Sequence, residues 1–349
     1  MAPIVCAMLS GKVPLGGGAM VMEREAPMLN RRQTLALLGG VAAATALPFA
    51  ARAASEPLKT LRIGWQKNGV LALAKGQGAL EKRFEQRGIS VSWAEFSSGP
   101  PLLEALGAGA IDFGPTGDVP PLFAQAAGGN LLYAGTYKGS PAGSAILVRK
   151  DSPIQSITDL KGKRVAFKRG SSAHNFTVKA LRSAGLTVAD VNASDLSPSD
   201  AAAAFTAGQI DAWAIWDPYF AVAEKRPETR VLATAEGIVD SWSFFLSNGD
   251  FTAAHGDVLT EVFDELTIVG KGAQENLDET IKTLSKIAGV PEDIQRVALT
   301  RKGADLGSVT AISPDAVAYQ QALADEFFDL KILPKKLNVS DVVWKGRPA

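Results

Sequence analysis

The spacing of hydrophobic and polar positions in this chain predicts strands and helices in turn. Ile89, Val91 and Trp93 occupy alternate positions, which is typical of a half-buried strand. Leu73, Leu80 and Phe84 follow the helical period. The same patterns predict further strands at residues 61–66, 111–114, 131–136, 145–149, 165–167, 210–215, 230–233 and 243–246. They predict helices at residues 70–87, 100–106, 120–127, 173–184, 198–207, 218–225, 257–288, 292–299 and 315–330. Strands that alternate with helices indicate an α/β fold.

One segment of the chain occurs twice. Ala105-Leu-Gly-Ala-Gly-Ala-Ile-Asp112 and Ala204-Phe-Thr-Ala-Gly-Gln-Ile-Asp211 agree at Ala, Ala, Gly, Ile and Asp. Each copy reads as a helix end, a glycine stop and a short buried strand. The repeat therefore predicts two similar, doubly wound α/β lobes.

The order of the elements predicts how the lobes divide the chain. We expect residues 57–145 and 244–349 to form lobe 1, and residues 146–243 to form lobe 2. The chain then crosses between the lobes near residues 145 and 243, and two crossings make a hinge. Because ligands of open α/β sheets bind beyond the carboxyl ends of the strands, facing lobes predict a cleft that binds a ligand.

The N-terminus reads as an export signal. Arg31 and Arg32 precede an uncharged run over residues 35–51, and Ala51-Arg-Ala53 is an A-x-A cleavage pattern. We therefore expect residues 1–53 to be a signal peptide, with residues 1–27 a spurious extension upstream of Met28. The paired arginines fit twin-arginine export and the general route equally.

Composition narrows the classes of function. The chain has 36 basic and 36 acidic residues, so it shows no basic footprint for nucleic acid. It has one cysteine, Cys6, inside the predicted signal, and two histidines, His174 and His255. We therefore expect no metal site and no cofactor. His255 is predicted to lie in a surface loop.

Gly170-Ser-Ser-Ala-His-Asn175 is the most distinctive local feature, because it lies between a predicted strand and a predicted helix. A helix N-terminus offers free backbone N–H groups and the positive end of a dipole. Ser171, Ser172, His174 and Asn175 add side-chain donors. The segment is either an anion site or a plain serine cap of the helix.

A second set of candidates follows the strands of lobe 1. Thr116 and Gly117 end one strand, and Asp118 is either a ligand contact or the cap of the next helix. Gln66 ends the first strand, and Ser98 and Gly99 precede another helix. The carboxyl ends of parallel strands share one edge of a sheet, so these residues are expected to face the cleft.

Trp216 and Asp217 mark the corresponding turn in lobe 2. Trp216 is the tryptophan expected to pack on the organic part of a ligand, whereas Trp213 is expected in the core. Asp217 precedes Pro218 and is expected to cap a helix, or to orient a ligand amine or a neighbouring side chain. The sequence contains no G-x-S-x-G, H-E-x-x-H, G-x-x-x-x-G-K-[ST] or C-x-x-C pattern, so no enzyme class is indicated.

These segments together resemble the periplasmic aliphatic-sulfonate-binding proteins of ABC importers, close to their taurine- and nitrate-binding relatives. The resemblance runs from about residue 58 to 345. It is carried by Leu61-Arg-Ile-Gly-Trp-Gln-Lys67, Gly99-Pro-Pro-Leu-Leu-Glu-Ala-Leu106, Thr116-Gly-Asp-Val-Pro-Pro121, Gly170-Ser-Ser-Ala-His-Asn175 and Asp211-Ala-Trp-Ala-Ile-Trp-Asp-Pro-Tyr219.

The resemblance implies a type II periplasmic-binding-protein fold and a monomeric, non-enzymatic protein. It implies that the protein captures a small organosulfonate anion in the periplasm and passes it to an ABC permease and its ATPase for sulfur uptake. Gln66, Thr116, Gly117, Ser171, Ser172, His174 and Trp216 are the pocket positions it implies. Taurine, nitrate or an aromatic sulfonate are alternative ligands, and a secreted enzyme on the same fold is a remote alternative.

Overall fold

The computed structural model describes residues 57–346, and the predicted signal at residues 1–53 lies outside that range. Its strands form two sheets of five. In chain order the strands are β1 Thr60–Trp65, β2 Ser90–Glu95, β3 Phe113–Gly117, β4 Leu132–Lys138, β5 Ser144–Arg149, β6 Arg164–Phe167, β7 Asn192–Asp195, β8 Ala212–Trp216, β9 Thr229–Thr234 and β10 Trp242–Ser247.

The two sheets share one topology. The first has the order β2-β1-β3-β10-β4 and the second the order β7-β6-β8-β5-β9. In each sheet the strand that arrives from the other lobe, β10 or β5, pairs antiparallel with both neighbours. The pairs β1–β2, β1–β3, β6–β7 and β6–β8 are parallel. The predicted pair of α/β sheets is therefore confirmed.

Helices cover both faces of each sheet, as a doubly wound fold requires. They are α1 Gly69–Gln77, α2 Ala79–Glu85, α3 Gly99–Gly107, α4 Val119–Ala126, α5 Ser172–Ser183, α6 Pro198–Thr206, α7 Tyr219–Glu224, α8 Gly249–Glu275, α9 Leu277–Ala288, α10 Glu292–Leu299 and α11 Pro314–Asp329. Two apolar clusters lie against the first sheet and two against the second.

The sequence repeat has a structural cause. In the first lobe the backbone N–H and the guanidinium of Arg62 both donate to Asp112. In the second lobe the backbone N–H and the guanidinium of Arg164 donate to Asp211 in the same way. Each arginine also donates to the carbonyl of the repeated glycine, Gly109 or Gly208. The arginine of β1 or β6 therefore joins that strand both to the glycine at the helix end and to the repeated aspartate.

Three local predictions were wrong. The helix predicted over residues 257–288 is part of two helices, α8 and α9, which Asn276 separates with a φ of −129°. The helix predicted over residues 70–87 is two helices, because Gly78 adopts the left-handed conformation with φ 62° and ends α1. His255 lies inside α8, at a kink where its φ is −136° and its ψ 37°, and not in a surface loop.

Candidate functional site

A cavity of about 200 Å³ lies where the carboxyl ends of the central strands of both sheets meet. Such a volume is below the roughly 300–1,000 Å³ of drug-sized sites, so it suits a small ligand. Both lobes, both connections between them and the C-terminal helical segment contribute to its lining. Of the predicted site residues, the lining includes Gln66, Gly99, Thr116, Gly117, Ser171, Ser172, Trp216 and Asp217.

Thr116 and Gly117 form the wall at the end of β3. The Thr116 side chain is 2% exposed, and its Oγ1 has no hydrogen-bond partner. A buried hydroxyl without a partner is costly, so this atom is placed to bond something that enters the cavity. A Cβ on Gly117 would overlap Ser172 Oγ, and a Cβ on Gly99 would overlap Thr116 Oγ1. Glycine at both positions is therefore what allows these walls to meet.

The opposing wall is the start of α5. Ser171 occupies the N-cap position, yet its hydroxyl donates to the Lys168 carbonyl over 2.7 Å and does not cap the helix. The first turn of α5 therefore has no side-chain acceptor for its amides, although the His174 N–H donates to the Ser171 carbonyl over 2.9 Å. Ser171 and Ser172 line the cavity, so the start of α5 and the positive end of its dipole lie beside it. Ser172, the first residue of α5, adds a hydroxyl to the lining.

Asp118 lies behind this wall and not in the lining. One carboxylate oxygen accepts from Asn175 Nδ2 over 2.6 Å and from the Tyr319 hydroxyl over 2.8 Å. The other accepts from the Val119 N–H over 2.9 Å, which is the predicted capping contact. Burial raises the pKa of Asp118, and hydrogen bonds from Tyr319, Asn175 and Ser172 oppose that rise. Asp118 and Asn175 therefore join β3 to α5, and the structure gives neither a place in the cavity lining.

His174 also lies behind the wall. Its ring stacks on Phe167 at 5.1 Å between centroids and contacts Phe327 and Phe123. The Gly170 N–H donates to His174 Nδ1 over 3.3 Å, so this nitrogen carries no proton. Burial, with repulsion from Arg169, lowers the pKa of His174 to about 4. His174 is therefore neutral at ordinary pH and holds the Gly170 turn against α11. Ser98 is likewise buried and outside the lining.

The turn after β8 carries an ion pair whose partner, Arg301, had no signal in the sequence. Arg301 Nε lies 2.6 Å from Asp217 Oδ2, and a second nitrogen of Arg301 lies 2.8 Å from Glu224. The guanidinium also lies 3.8 Å from the centre of the Phe220 ring. Asp217 Oδ1 accepts from the Ala221 N–H, which is the predicted cap of α7. Arg301 follows α10, so the pair ties the C-terminal segment to lobe 2.

Three polar side chains from that C-terminal segment reach the site and had no local signal in the sequence. They are Gln295 and Asp305, which line the cavity, and Tyr319, which bonds Asp118. Among residues 57–346 no three His, Cys, Asp or Glu side chains form a group that could hold a metal ion. Within the same range no helix is both long and apolar enough to cross a membrane.

Known proteins resemble this chain in both sequence and structure. The model of the NMT1/THI5-like family matches residues 81–279. A protein of Escherichia coli strain K12 named for binding aliphatic sulfonates is 38% identical over 89% of this chain and 95% of its own length. The structure of the alkanesulfonate-binding protein SsuA from Xanthomonas axonopodis pv. citri, bound to MOPS, is 41% identical, with a TM-score of 0.77 over 82% of this chain and 98% of that one. SsuA from Escherichia coli, a periplasmic aliphatic sulphonate binding protein, is 37% identical, with a TM-score of 0.74 over 83% of this chain and 94% of that one.

Proposed function

We propose that this chain, which belongs to the NMT1/THI5-like family and has the periplasmic-binding-protein fold, captures aliphatic sulfonates outside the cytoplasmic membrane. It delivers them to an ABC permease and its ATPase, which supply the cell with sulfur. The names of the two SsuA relatives support the ligand class, and the name of the Escherichia coli protein also supports the periplasmic location. Residues 1–53 serve as the export signal in this proposal, and the protein works as a monomer.

The observation that carries the ligand class is the unpartnered Thr116 hydroxyl opposite the uncapped first turn of α5. A sulfonate is a monoanion at physiological pH, and it has three oxygen acceptors and no donor. Hydroxyls, backbone N–H groups and a helix dipole match that group without a formal positive charge. Each hydrogen bond to the charged group contributes about 1.5–3 kcal/mol.

Binding favours the closed arrangement of the lobes. The donors come from both lobes, Thr116 and the Gly117 amide from one and the start of α5 from the other, so a sulfonate bonds all of them only when the lobes are together. A ligand shifts such an equilibrium by its difference in affinity for the two states. The organic tail packs along Trp216, which is half-buried at the end of β8.

A binding role is favoured over catalysis by the composition of the cavity. Among the described residues, its lining contains no His, Cys, Lys or Arg. The Ser171 hydroxyl is committed to a backbone carbonyl, and the carboxylate that Ser172 bonds, Asp118, is fully buried behind the wall and already accepts from Tyr319, Asn175 and the Val119 N–H. The two carboxylates of the lining, Asp217 and Asp305, are held by Arg301 and by Gly307 and Gln274. General acid–base or nucleophilic chemistry needs a base that is free to take a proton from the reacting group. The sulfonate is therefore expected to leave the protein with its mass unchanged.

Isothermal titration with a panel of ligands tests the proposal. The panel contains a short alkanesulfonate, taurine, an arylsulfonate and nitrate. We expect one-to-one binding of the alkanesulfonate, with nitrate and the arylsulfonate bound at least tenfold more weakly. Binding of nitrate alone would show that the protein transports another anion. Absence of binding heat with every sulfonate would contradict the proposed function.

A further inference from the structure

A second unpartnered polar group faces the cavity from a different element. Gln295 lies on α10, is 3% exposed and lines the cavity, and its Oε1 has no hydrogen-bond partner. A side-chain carbonyl is an acceptor. Because a buried acceptor without a donor is costly, Gln295 is placed for a donor that the ligand brings.

Gln295 is the polar residue on an otherwise apolar face of α10. Ala298 and Leu299, three and four residues further along α10, share its face of the helix and also line the cavity. This face is apolar except for Gln295. The helix packs against α7, so it closes the cavity beside the turn that holds Asp217.

The charged side chains of the lining are also hydrogen-bond acceptors, as Gln295 is. The charged side chains in it are Asp217 and Asp305, and the described lining contains no cationic side chain. Arg301 balances Asp217 from behind, and Asp305 accepts from the Gly307 N–H and from Gln274. A purely anionic ligand gains nothing from these carboxylates, whereas a donor on its tail would.

We propose that Gln295 determines specificity for the tail of the ligand, and that the preferred ligands are sulfonates whose far end carries a hydrogen-bond donor, either a hydroxyl or an ammonium group. This inference rests on the proposed function, because the sulfonate end is assigned to the Thr116 wall. It adds a second point of recognition that separates substituted from plain alkanesulfonates.

Three ligands of matched length test the inference. Propane-1-sulfonate, 2-hydroxyethanesulfonate and 2-aminoethanesulfonate differ only in a terminal methyl, hydroxyl or ammonium group. Each is titrated into the protein and into Gln295→Met, which keeps the side-chain volume and removes the acceptor. The series is repeated with ligands whose carbon chains are one atom longer, so that a ligand too short to contact Gln295 does not decide the result. Gln77→Met, at an exposed position of α1, is the matched control.

We expect the natural protein to bind at least one donor-bearing ligand about tenfold more tightly than its methyl analogue, because a site built for a donor rejects a ligand without one. Gln295→Met should bring that ratio close to one and leave propane-1-sulfonate within about twofold. Preference for the ammonium over the hydroxyl would identify the carboxylates as part of the recognition. Equal preference would assign it to Gln295 alone.

Two results would overturn the inference and leave the proposed function standing. One is a natural protein that binds all the sulfonates equally well at both lengths. The other is a Gln295→Met variant that loses affinity equally for all of them, which a purely structural role would produce. Absence of binding by every sulfonate would instead remove the proposed function, and the inference with it.

Discussion

Asp118 and Asn175 lie 2.6 Å apart and join the two lobes by a fully buried hydrogen bond. Asp118 follows β3 of the first sheet, whereas Asn175 is on α5 of the second lobe. Tyr319 of α11 donates to the same carboxylate oxygen. These three groups lie behind the cavity wall, and Ser172, which lines the cavity, bonds the same Asp118 carboxylate. The contacts that hold the lobes together therefore lie directly behind the groups proposed to bind the ligand.

Asn175→Leu should weaken sulfonate binding, although Asn175 lies behind the cavity wall and does not line the cavity. The change removes a hydrogen bond to a carboxylate, which contributes about 1.5–3 kcal/mol to the closed state, so affinity should fall by roughly tenfold or more. Titration calorimetry measures the loss, and small-angle scattering should show a larger radius for the variant without ligand. Asn192→Leu, at an exposed position within lobe 2, is the control. Equal affinity for the natural protein and Asn175→Leu would contradict this role.

Thr116→Val should separate binding from folding. Valine has the shape of threonine, and the lost hydroxyl has no partner in the protein, so the melting temperature should hold or rise slightly. Sulfonate affinity should fall by about tenfold, the equivalent of one charge-assisted hydrogen bond. Thr158→Val, at an exposed position, should change neither. Loss of stability with unchanged affinity would assign Thr116 a structural role only.

Arg301→Met should destabilise the protein, because it leaves the buried Asp217 carboxylate without its cation. Both side chains are mostly buried, 12% exposed for Arg301 and 15% for Asp217. We expect a loss of about 2–3 kcal/mol in the free energy of unfolding, somewhat below the value for a fully buried pair. Arg296→Met breaks the exposed pair with Asp278 and should cost at most about 1 kcal/mol. Chemical denaturation compares the two variants, and equal losses would contradict a special role for Arg301.

His174 should make the protein less stable in acid. Its pKa is lowered to about 4 in the folded protein, so the unfolded chain binds the proton first as the pH falls below about 6.5. The stability is therefore complete above about pH 6.5 and is lost progressively toward pH 4, by up to about 3 kcal/mol. His174→Phe keeps a ring among the phenylalanines and should show a smaller loss across this window. His255→Gln is the control, and an identical pH dependence for His174→Phe and the natural protein would contradict the account.

The parts of the fold that were predictable from sequence depend on short-range patterns. Alternating positions such as Ile89, Val91 and Trp93 reveal a strand, and the repeated Ile-Asp pairs at 111–112 and 210–211 reveal two related lobes. The cavity residues that were predicted, such as Thr116 and Ser172, directly end a strand or begin a helix. Their position in the fold follows from the direction of the strands alone.

The contacts that the sequence did not reveal are long-range. Arg301 meets Asp217 across 84 positions, and Tyr319 meets Asp118 across 201. His174 has the chemistry of a donor, and only packing with Phe123, Phe167 and Phe327 from three separate segments makes it a neutral, buried ring. Local spacing carries no information on which distant helix will cover a given residue.

A crystal structure of the protein with propane-1-sulfonate tests the central claim most directly. We predict that the sulfonate oxygens lie about 2.7–3.2 Å from Thr116 Oγ1 and from the amides of Gly117 and the first turn of α5. A sulfonate bound elsewhere, or an orientation that leaves Thr116 Oγ1 without a partner, would contradict the claim.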